Sequence, residues 1–122
     1  MQFMLMVYKD REIFARMPDA EKARISEACD AWRDELTRSG HMRQMSRLTG
    51  TGTAATVRRT GDQFLVTDGP FAETKEVFGG FAVVECRDRD EAIELAKKFP
   101  GIAFGGSMEV RPIATGEAGR QC

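Results

Sequence analysis

The 122-residue sequence lacks the features that mark membrane, secreted and metal-binding proteins. No apolar run approaches the roughly 18 residues of a membrane helix, and the apolar start MQFMLMVYKD lacks the basic region and cleavage site of a secretion signal. The cysteines Cys29, Cys86 and Cys122 are far apart and form no C-x-x-C pair, which argues against a disulfide framework or a zinc site. We therefore expect a cytoplasmic protein with reduced thiols, no membrane association and no bound metal.

An excess of one charge and a cofactor motif are also missing. With 18 basic and 19 acidic residues, the net charge is −1, which argues against a nucleic-acid partner. No glycine-rich stretch leads into a helix as a phosphate-binding loop does, and no flavin, nicotinamide or haem motif occurs. We expect any chemistry to need no cofactor, or only one that binds transiently.

What the chain does contain is clear apolar periodicity. Residues 3–8 are typical of a first strand, and residues 18–40 carry a helical stripe, with Pro18 in the first turn and Gly40 after the end. Residues 88–100 predict a second helix, capped by Asp88. The members of the first helical stripe are Ile25, Cys29, Trp32 and Leu36.

The remaining segments predict further strands. Residues 53–59 and 62–67 flank a Thr-Gly turn, residues 81–86 and 107–113 are strand-like, and residues 41–53 predict a loop. Setting aside one central strand leaves βαββαβ, the ferredoxin-like arrangement, in which two helices cover one face of an antiparallel sheet. We expect the extra hairpin to extend the far edge of that sheet. The domain would span residues 1–113, followed by a flexible tail over residues 114–122.

The first strand predicts an assembly. It is apolar on both faces, with Phe3, Leu5 and Val7 on one side and Met4, Met6 and Tyr8 on the other. A sheet face that met water would alternate apolar and polar residues. Because the chain has no further elements to cover the second face, we expect a homodimer packed sheet to sheet.

The stretch VTDGPFAETKE, followed by GGF and later by EVRPI, resembles the DGPF-type proteins of the YCII-related family. The resemblance extends from MLMVYKD to EVRPI and implies a ferredoxin-like protomer that forms a dimeric α/β barrel. Many members are bacterial and are encoded near extracytoplasmic-function sigma factors, and an Asp–His catalytic pair has been proposed for related YCII proteins. The motif falls on Asp68, Gly69, Pro70, Phe71, Glu73, Lys75, Glu76, Gly79, Gly80, Glu109 and Arg111.

Asp68 is the main catalytic candidate, as a general base or a ligand for a cation or amine. The alternative is a turn residue that bonds the backbone two residues on. His41 is the only histidine and a weaker candidate for proton transfer; the family pattern does not place it. The ligand-binding candidates are Glu73, Lys75, Glu76, Glu85, Glu109 and Arg111, whose alternatives are solvated loop charges or structural ion pairs.

Two functions agree with these patterns. The first is binding of a small organic ligand in the cavity between the sheets of the dimer, near the Asp68 loop, with cofactor-free acid/base chemistry. The second is a non-catalytic regulatory or interaction module, linked to sigma-factor signalling by family analogy alone. An open pocket that reaches Asp68 would favour the first, and a sealed interior the second.

Overall fold

The computed structural model describes residues 1–120, which form an α+β fold with two antiparallel sheets. The main sheet has four strands in the order β2-β5-β1-β6, and β3 and β4 form a separate hairpin. The strands are β1 (Gln2–Asp10), β2 (Met42–Arg47), β3 (Ala55–Thr60), β4 (Gln63–Asp68), β5 (Glu76–Glu85) and β6 (Ser107–Pro112), and the helices are α1 (Arg11–Arg16), α2 (Asp19–Arg38) and α3 (Arg89–Lys97). Without the hairpin and α1, the order is the βαββαβ of a ferredoxin-like fold.

The core lies between the main sheet and both long helices. Phe3 and Leu5 of β1 and Val84 of β5 are fully buried, and they cluster with the inward side chains of α2 and α3. Trp32 meets Phe99 edge to face at 5.2 Å between ring centroids. The helix-side residues of the cluster are Cys29, Trp32, Leu36, Ala92 and Ala96. The predicted single layer of helices on one sheet face is therefore confirmed.

Local capping chemistry explains where the helices begin and end. Gly40 follows α2 with a φ of +80°, the left-handed conformation that glycine adopts at low cost. At α3, Asp88 accepts from the backbone N–H of Glu91 at 2.9 Å, and Glu91 accepts from the N–H of Arg87 at 3.2 Å. Asp88 therefore caps α3 as the sequence predicts, and Glu91 satisfies the N–H of the residue before the cap.

The predicted loop at residues 41–53 and the predicted place of the hairpin are wrong. Residues 42–47 form β2, which pairs with β5 and occupies the edge of the main sheet. The hairpin instead forms its own sheet, and no residue of β3 or β4 is buried. β5 also begins at Glu76, so the linker after Asp68 is shorter than the sequence suggests. Within residues 1–120, no helix is long and apolar enough to cross a membrane.

The sheet face opposite the helices carries the second apolar set. The register pairs Met4 with Val83 and Met6 with Phe81, so these four side chains share that face. Met6 is buried within the protomer, and Met4, Phe81 and Val83 are half-buried. We call this surface the open face.

Candidate functional site

A cavity of about 140 Å³ lies between α2 and the helix-covered face of the main sheet. Its apolar wall includes Val7, Trp32, Met45, Phe99 and Met108, which line it beside the main core. Charged side chains stand at the ends of the strands that reach it. The arrangement is that of a small-molecule pocket, mostly apolar with a few converging polar groups.

A pair of glycines on β5 lines this cavity and permits close packing around it. The register of β1 against β5 shifts between Val7, which pairs with Gly80, and Tyr8, which pairs with Phe78, so Gly79 is the extra residue of a β-bulge. A Cβ on Gly80 would lie 2.9 Å from the backbone oxygen of Ser46, so only glycine lets β2 approach this closely. A Cβ on Gly79 would only touch the Lys9 stem, at 3.4 Å.

Cationic side chains surround the cavity. Lys9 ends the core-facing alternation of β1, and Arg47 ends β2 opposite Gly80. Lys9 and Lys22 of α2 both approach the Phe14 ring, and each ammonium nitrogen lies 4.9 Å from the ring centroid. No carboxylate of residues 1–120 forms an ion pair with any of these three cations.

Burial and charge shift the titration of the groups at the cavity. Burial lowers the pKa of Lys9, and the positive charge of Arg47 lowers it further. Burial raises the pKa of the Cys29 thiol, so it lines the cavity as a neutral group. The Cys29 thiol therefore adds no negative charge that would balance the cations of the cavity.

Asp10 is the carboxylate that lines the cavity, and structural contacts occupy it. The backbone N–H groups of Glu12 and Ile13 donate to its Oδ1 at 3.0 and 3.2 Å, which caps α1. Lys75 Nζ lies 3.6 Å from its Oδ2. The hydrogen bond from Ile13 is the main cause of the lowered pKa of Asp10, with smaller contributions from Glu12 and Lys75. These partners keep Asp10 ionised and occupy its carboxylate, so it forms no ion pair with Lys9 or Arg47.

A second, wider groove of about 850 Å³ lies between the open face and the loop that contains the family motif. Tyr8 and Phe78 line it from the sheet, with ring centroids 5.6 Å apart. The candidates Glu73 and Glu76 line it from the loop and the start of β5. Glu73 accepts from Arg11 at 2.8 Å, and Glu76 accepts from Ser107 at 3.4 Å.

The structure separates the two residues proposed for catalysis. Asp68 ends β4 on the exposed hairpin and lines neither the cavity nor the groove. His41 Nε2 lies 3.2 Å from Glu91 Oε1, and its Nδ1 lies 2.7 Å from Ser39 Oγ. Within the protomer His41 is therefore the partner of Glu91, and the assignment of either residue to catalysis stays a prediction. Residues 1–120 also contain no group of three or more acidic, histidine or cysteine side chains placed to hold a metal.

The remaining ligand candidates form ion pairs within the chain. Glu85 accepts from the Met1 ammonium group at 2.8 Å, which lowers the pKa of Glu85. Arg111 Nε lies 3.7 Å from Glu109 Oε2. Both residues of the latter pair lie on the open face, where the register sets them opposite Met4 and Met6. These charges thus have partners within the same chain, and their role in ligand binding stays a prediction.

Comparison with known proteins agrees with the fold. A family model for the YCII-related domain matches residues 1–115. The chain belongs to the YCII-related family. An uncharacterised protein of Rhizobium meliloti (strain 1021) is 33% identical over 115 residues, which cover 93% of each chain.

A solved structure shares the architecture of this YCII-related protein. It is 5-chloro-2-hydroxyhydroquinone dehydrochlorinase (TftG) from Burkholderia phenoliruptrix AC1100, in complex with 2,5-dihydroxybenzoquinone. The TM-score is 0.52 at 20% identity, and the match covers 96% of this chain and 97% of that chain. At this identity the likeness establishes the fold alone.

Sequence patterns missed Lys9 and Arg47 as residues of the site. Lys9 carries a detectable signal, because it follows Phe3, Leu5 and Val7 at a position where the core-facing alternation calls for an apolar residue. Arg47 has no such signal, since β2 shows no clear period and was not predicted as a strand.

Proposed function

We propose that this YCII-related protein binds a small organic molecule in the cavity between α2 and the main sheet. The observation that supports the proposal most directly is the combination of apolar walls with unpaired cations at the strand ends. A cation that serves only as a solvated surface charge does not line a cavity, and a sealed apolar core does not contain an unpaired cation. The cavity therefore has the composition of a ligand site rather than of a packing defect.

The chemistry we propose for this site is proton transfer without a cofactor. Lys9 is half-buried and lines the cavity, and its lowered pKa makes its ammonium group a better proton donor than that of a solvated lysine. Asp68, the residue that the family motif suggests, would reach a ligand only if a second copy or a change in the hairpin brought it there.

A thermal-shift and calorimetric screen of small ring compounds tests the proposed function. The ligand named in the TftG complex, 2,5-dihydroxybenzoquinone, is a suitable first probe. A ligand at a hundred times its Kd adds about 2.7 kcal/mol of stability, which a melting curve detects easily. We expect Ser26→Phe, on the cavity side of α2, to abolish the shift by filling the space.

Glu27→Phe is the matched control, because it adds the same ring to the solvent side of the same helix. We expect this variant to keep the ligand-induced shift of the wild type. If both variants bind as the wild type does, the ligand lies elsewhere and the proposed site is wrong.

We also propose that two copies pair through the open face. Support comes from Met4, Phe81 and Val83, apolar residues that are only half-buried in the protomer and lie beside the buried Met6 on the face opposite the helices. Partly exposed apolar patches of this kind mark interaction surfaces. We expect a dimer by light scattering at micromolar concentration and a monomer for Val83→Lys; a monomeric wild type would contradict this proposal.

The interaction-module alternative has its own supporting observation in the hairpin. Val57, Phe64 and Val66 share one face of it and are 62%, 70% and 63% exposed. Isolated two-stranded hairpins are marginal in water, so a partner surface would stabilise this one. Hydrogen exchange of β3 and β4, measured in the dimer, shows what covers this face of the hairpin. Protection of the backbone amides indicates a second copy, and rapid exchange leaves the face free for a different protein.

A further inference from the structure

Two glycines of β5 lie beside the strand-end cations of the cavity. On the helix-covered face, Val7, Gly80 and Arg47 form one row across β1, β5 and β2, and the Lys9 stem runs beside Gly79 in the next row. The Lys9 stem occupies the space that a side chain on Gly79 would take, and the β2 backbone occupies the space beside Gly80. The absence of two side chains thus lets Lys9 and β2, which carries Arg47, pack close to β5 at the cavity wall.

The charges at this point are unbalanced. Lys9, Lys22 and Arg47 all line the cavity, whereas Asp10 is bound to the start of α1 and to Lys75. Each positive charge makes the next one less favourable in a partly desolvated site, and the lowered pKa of Lys9 agrees with this. An anion between Lys9 and Arg47 would relieve the repulsion and form charge-assisted hydrogen bonds with both.

The rest of the cavity selects the size and character of the molecule. Trp32, Phe99, Met45 and Met108 bound the space away from the cations, and Cys29 adds a neutral thiol. The volume of about 140 Å³ is close to the ~150 Å³ that accommodates one benzene ring in an apolar protein cavity. Nucleotides and long acyl chains exceed it.

We propose that the cavity is selective for small single-ring organic acids, with the anionic group between Lys9 and Arg47 over Gly79–Gly80 and the ring against Trp32 and Phe99. This inference rests on the proposed function, since it names the ligand class of the same cavity. Arg47 supplies a planar pair of donors suited to a carboxylate or an ionised hydroxyl, and Lys9 supplies a point charge. Neutral molecules of the same shape would leave both cations unpaired.

Matched probes test the charge requirement directly. Calorimetry with benzoate and benzamide, and with a panel of other single-ring acids and their neutral amides, compares molecules that differ mainly in charge. We expect the preferred acid to bind at least tenfold more tightly than its amide. We also expect its affinity to fall as sodium chloride increases, because salt screens the partly exposed cations.

Variants assign the selectivity to particular residues. Lys9→Met and Arg47→Met should each weaken binding of the acid about tenfold or more and leave the amide within twofold. Lys97→Met is the control for net charge, because this lysine lies on α3, pairs with Glu94 and is not among the cavity residues. We expect the control to bind the acid as the wild type does.

The outcomes separate the two proposals. If acids and amides bind equally and the Lys9 and Arg47 variants change neither, the cavity binds ligands and the anion inference is wrong. If no member of the panel binds at millimolar concentration, both the inference and the proposed cavity function fail. If Lys9→Met does not fold, Arg47→Gln provides the same comparison from the strand end on the other side of β5.

Discussion

The two ends of the family motif, residues 68–80, lie in contrasting parts of the molecule. Asp68 is at the end of an exposed hairpin that shares no core with the rest of the chain. Gly79 and Gly80 are in the centre of the main sheet, beside the cavity and the cations. The acidic end is conspicuous in the sequence because carboxylates perform chemistry, yet the glycines let the Lys9 stem and β2 pack close to β5 beside the cavity. A residue can thus define a site by the close approach that it permits.

The largest expected effect is on the free energy of unfolding, and it distinguishes the main sheet, which contains Gly79 and Gly80, from the hairpin, which contains Asp68. Leu5 on β1 is fully buried, whereas Leu65 on β4 is 54% exposed. Leu5→Ala should lower the free energy of unfolding by about 2–5 kcal/mol, because it removes buried contacts and leaves a cavity. Leu65→Ala should change it by less than about 0.5 kcal/mol, and urea unfolding measures both.

Equal losses in these two variants would contradict the contrast between the sheets. They would mean that the hairpin is buried in solution, most simply against a second copy. Repeating the Leu65→Ala measurement at several protein concentrations would identify that case, since the stability of a dimer depends on concentration.

The second prediction separates the two glycines of the pair. Gly80→Ala places a Cβ 2.9 Å from the backbone of Ser46, so β2 must shift, and we expect a loss of about 1–3 kcal/mol. Gly79→Ala makes only an ordinary contact with the Lys9 stem, and its cost should be smaller. Neither position has a positive φ, so backbone strain does not enter the comparison.

Thermal unfolding with ligand titration checks both glycine variants. Because Arg47 is next to Ser46 on β2, Gly80→Ala should also weaken binding of the preferred acid. A Gly80→Ala protein as stable as Gly79→Ala would show that β2 adjusts without cost, and would remove the packing argument for this glycine.

Most of the fold could be predicted from the sequence, because its main elements carry strong local signals. Three elements can be predicted from local sequence alone: α2 from its apolar stripe, α3 from its Asp88 cap and β1 from its apolar residues. The strand β2 could not be predicted in this way. Within its sequence MRQMSR, Met42 and Met45 are the residues that pack against the core, and the register breaks between Met42 and Gln44. Its place at the sheet edge is decided by pairing with β5, a long-range contact.

The candidate site was less predictable for the same reason. Residue type identified Asp68 and the loop charges, but the cavity exists because β1, β5 and β2 are neighbours. Without β2 in the sheet, Arg47 cannot be placed opposite Gly80, and Lys9 looks like a charge at the end of a strand. The resemblance to the family motif drew attention to Gly79 and Gly80, while their role depended on the register of three strands.

The third prediction concerns pH and has a smaller effect. The folded-state pKa of Lys9 is lowered below its ordinary 10.5, so the unfolded chain binds more protons between the two values and stability gains from rising pH there. Below the folded pKa the charged amine is a cost. Lys9→Met should therefore equal or exceed the wild type in stability at pH 7, by about 0.5 kcal/mol after solvent screening.

Lys97→Met is a control of opposite sign. The hydrogen bond that Lys97 donates to Glu94 raises the pKa of Lys97, so its contribution is present below pH 10.5 and is lost as pH rises through the folded pKa. Urea unfolding at pH 7 and pH 10 compares the variants. If Lys9→Met is clearly destabilised at pH 7, Lys9 is a structural residue and its role in an anion site loses support.

The smallest effect is expected for Asp68→Asn, and it tests the motif end that the sequence makes most prominent. The side chain is exposed on the hairpin and lines neither the cavity nor the groove, so stability should change by less than about 0.5 kcal/mol. Binding of the preferred acid should stay within twofold of the wild type by calorimetry. A large loss of affinity in a dimer that persists would instead bring Asp68 into the site, through the partner copy or a moved hairpin. Such a result would join the two ends of the motif in one function, because the glycines would position the cations and the carboxylate would provide the chemistry.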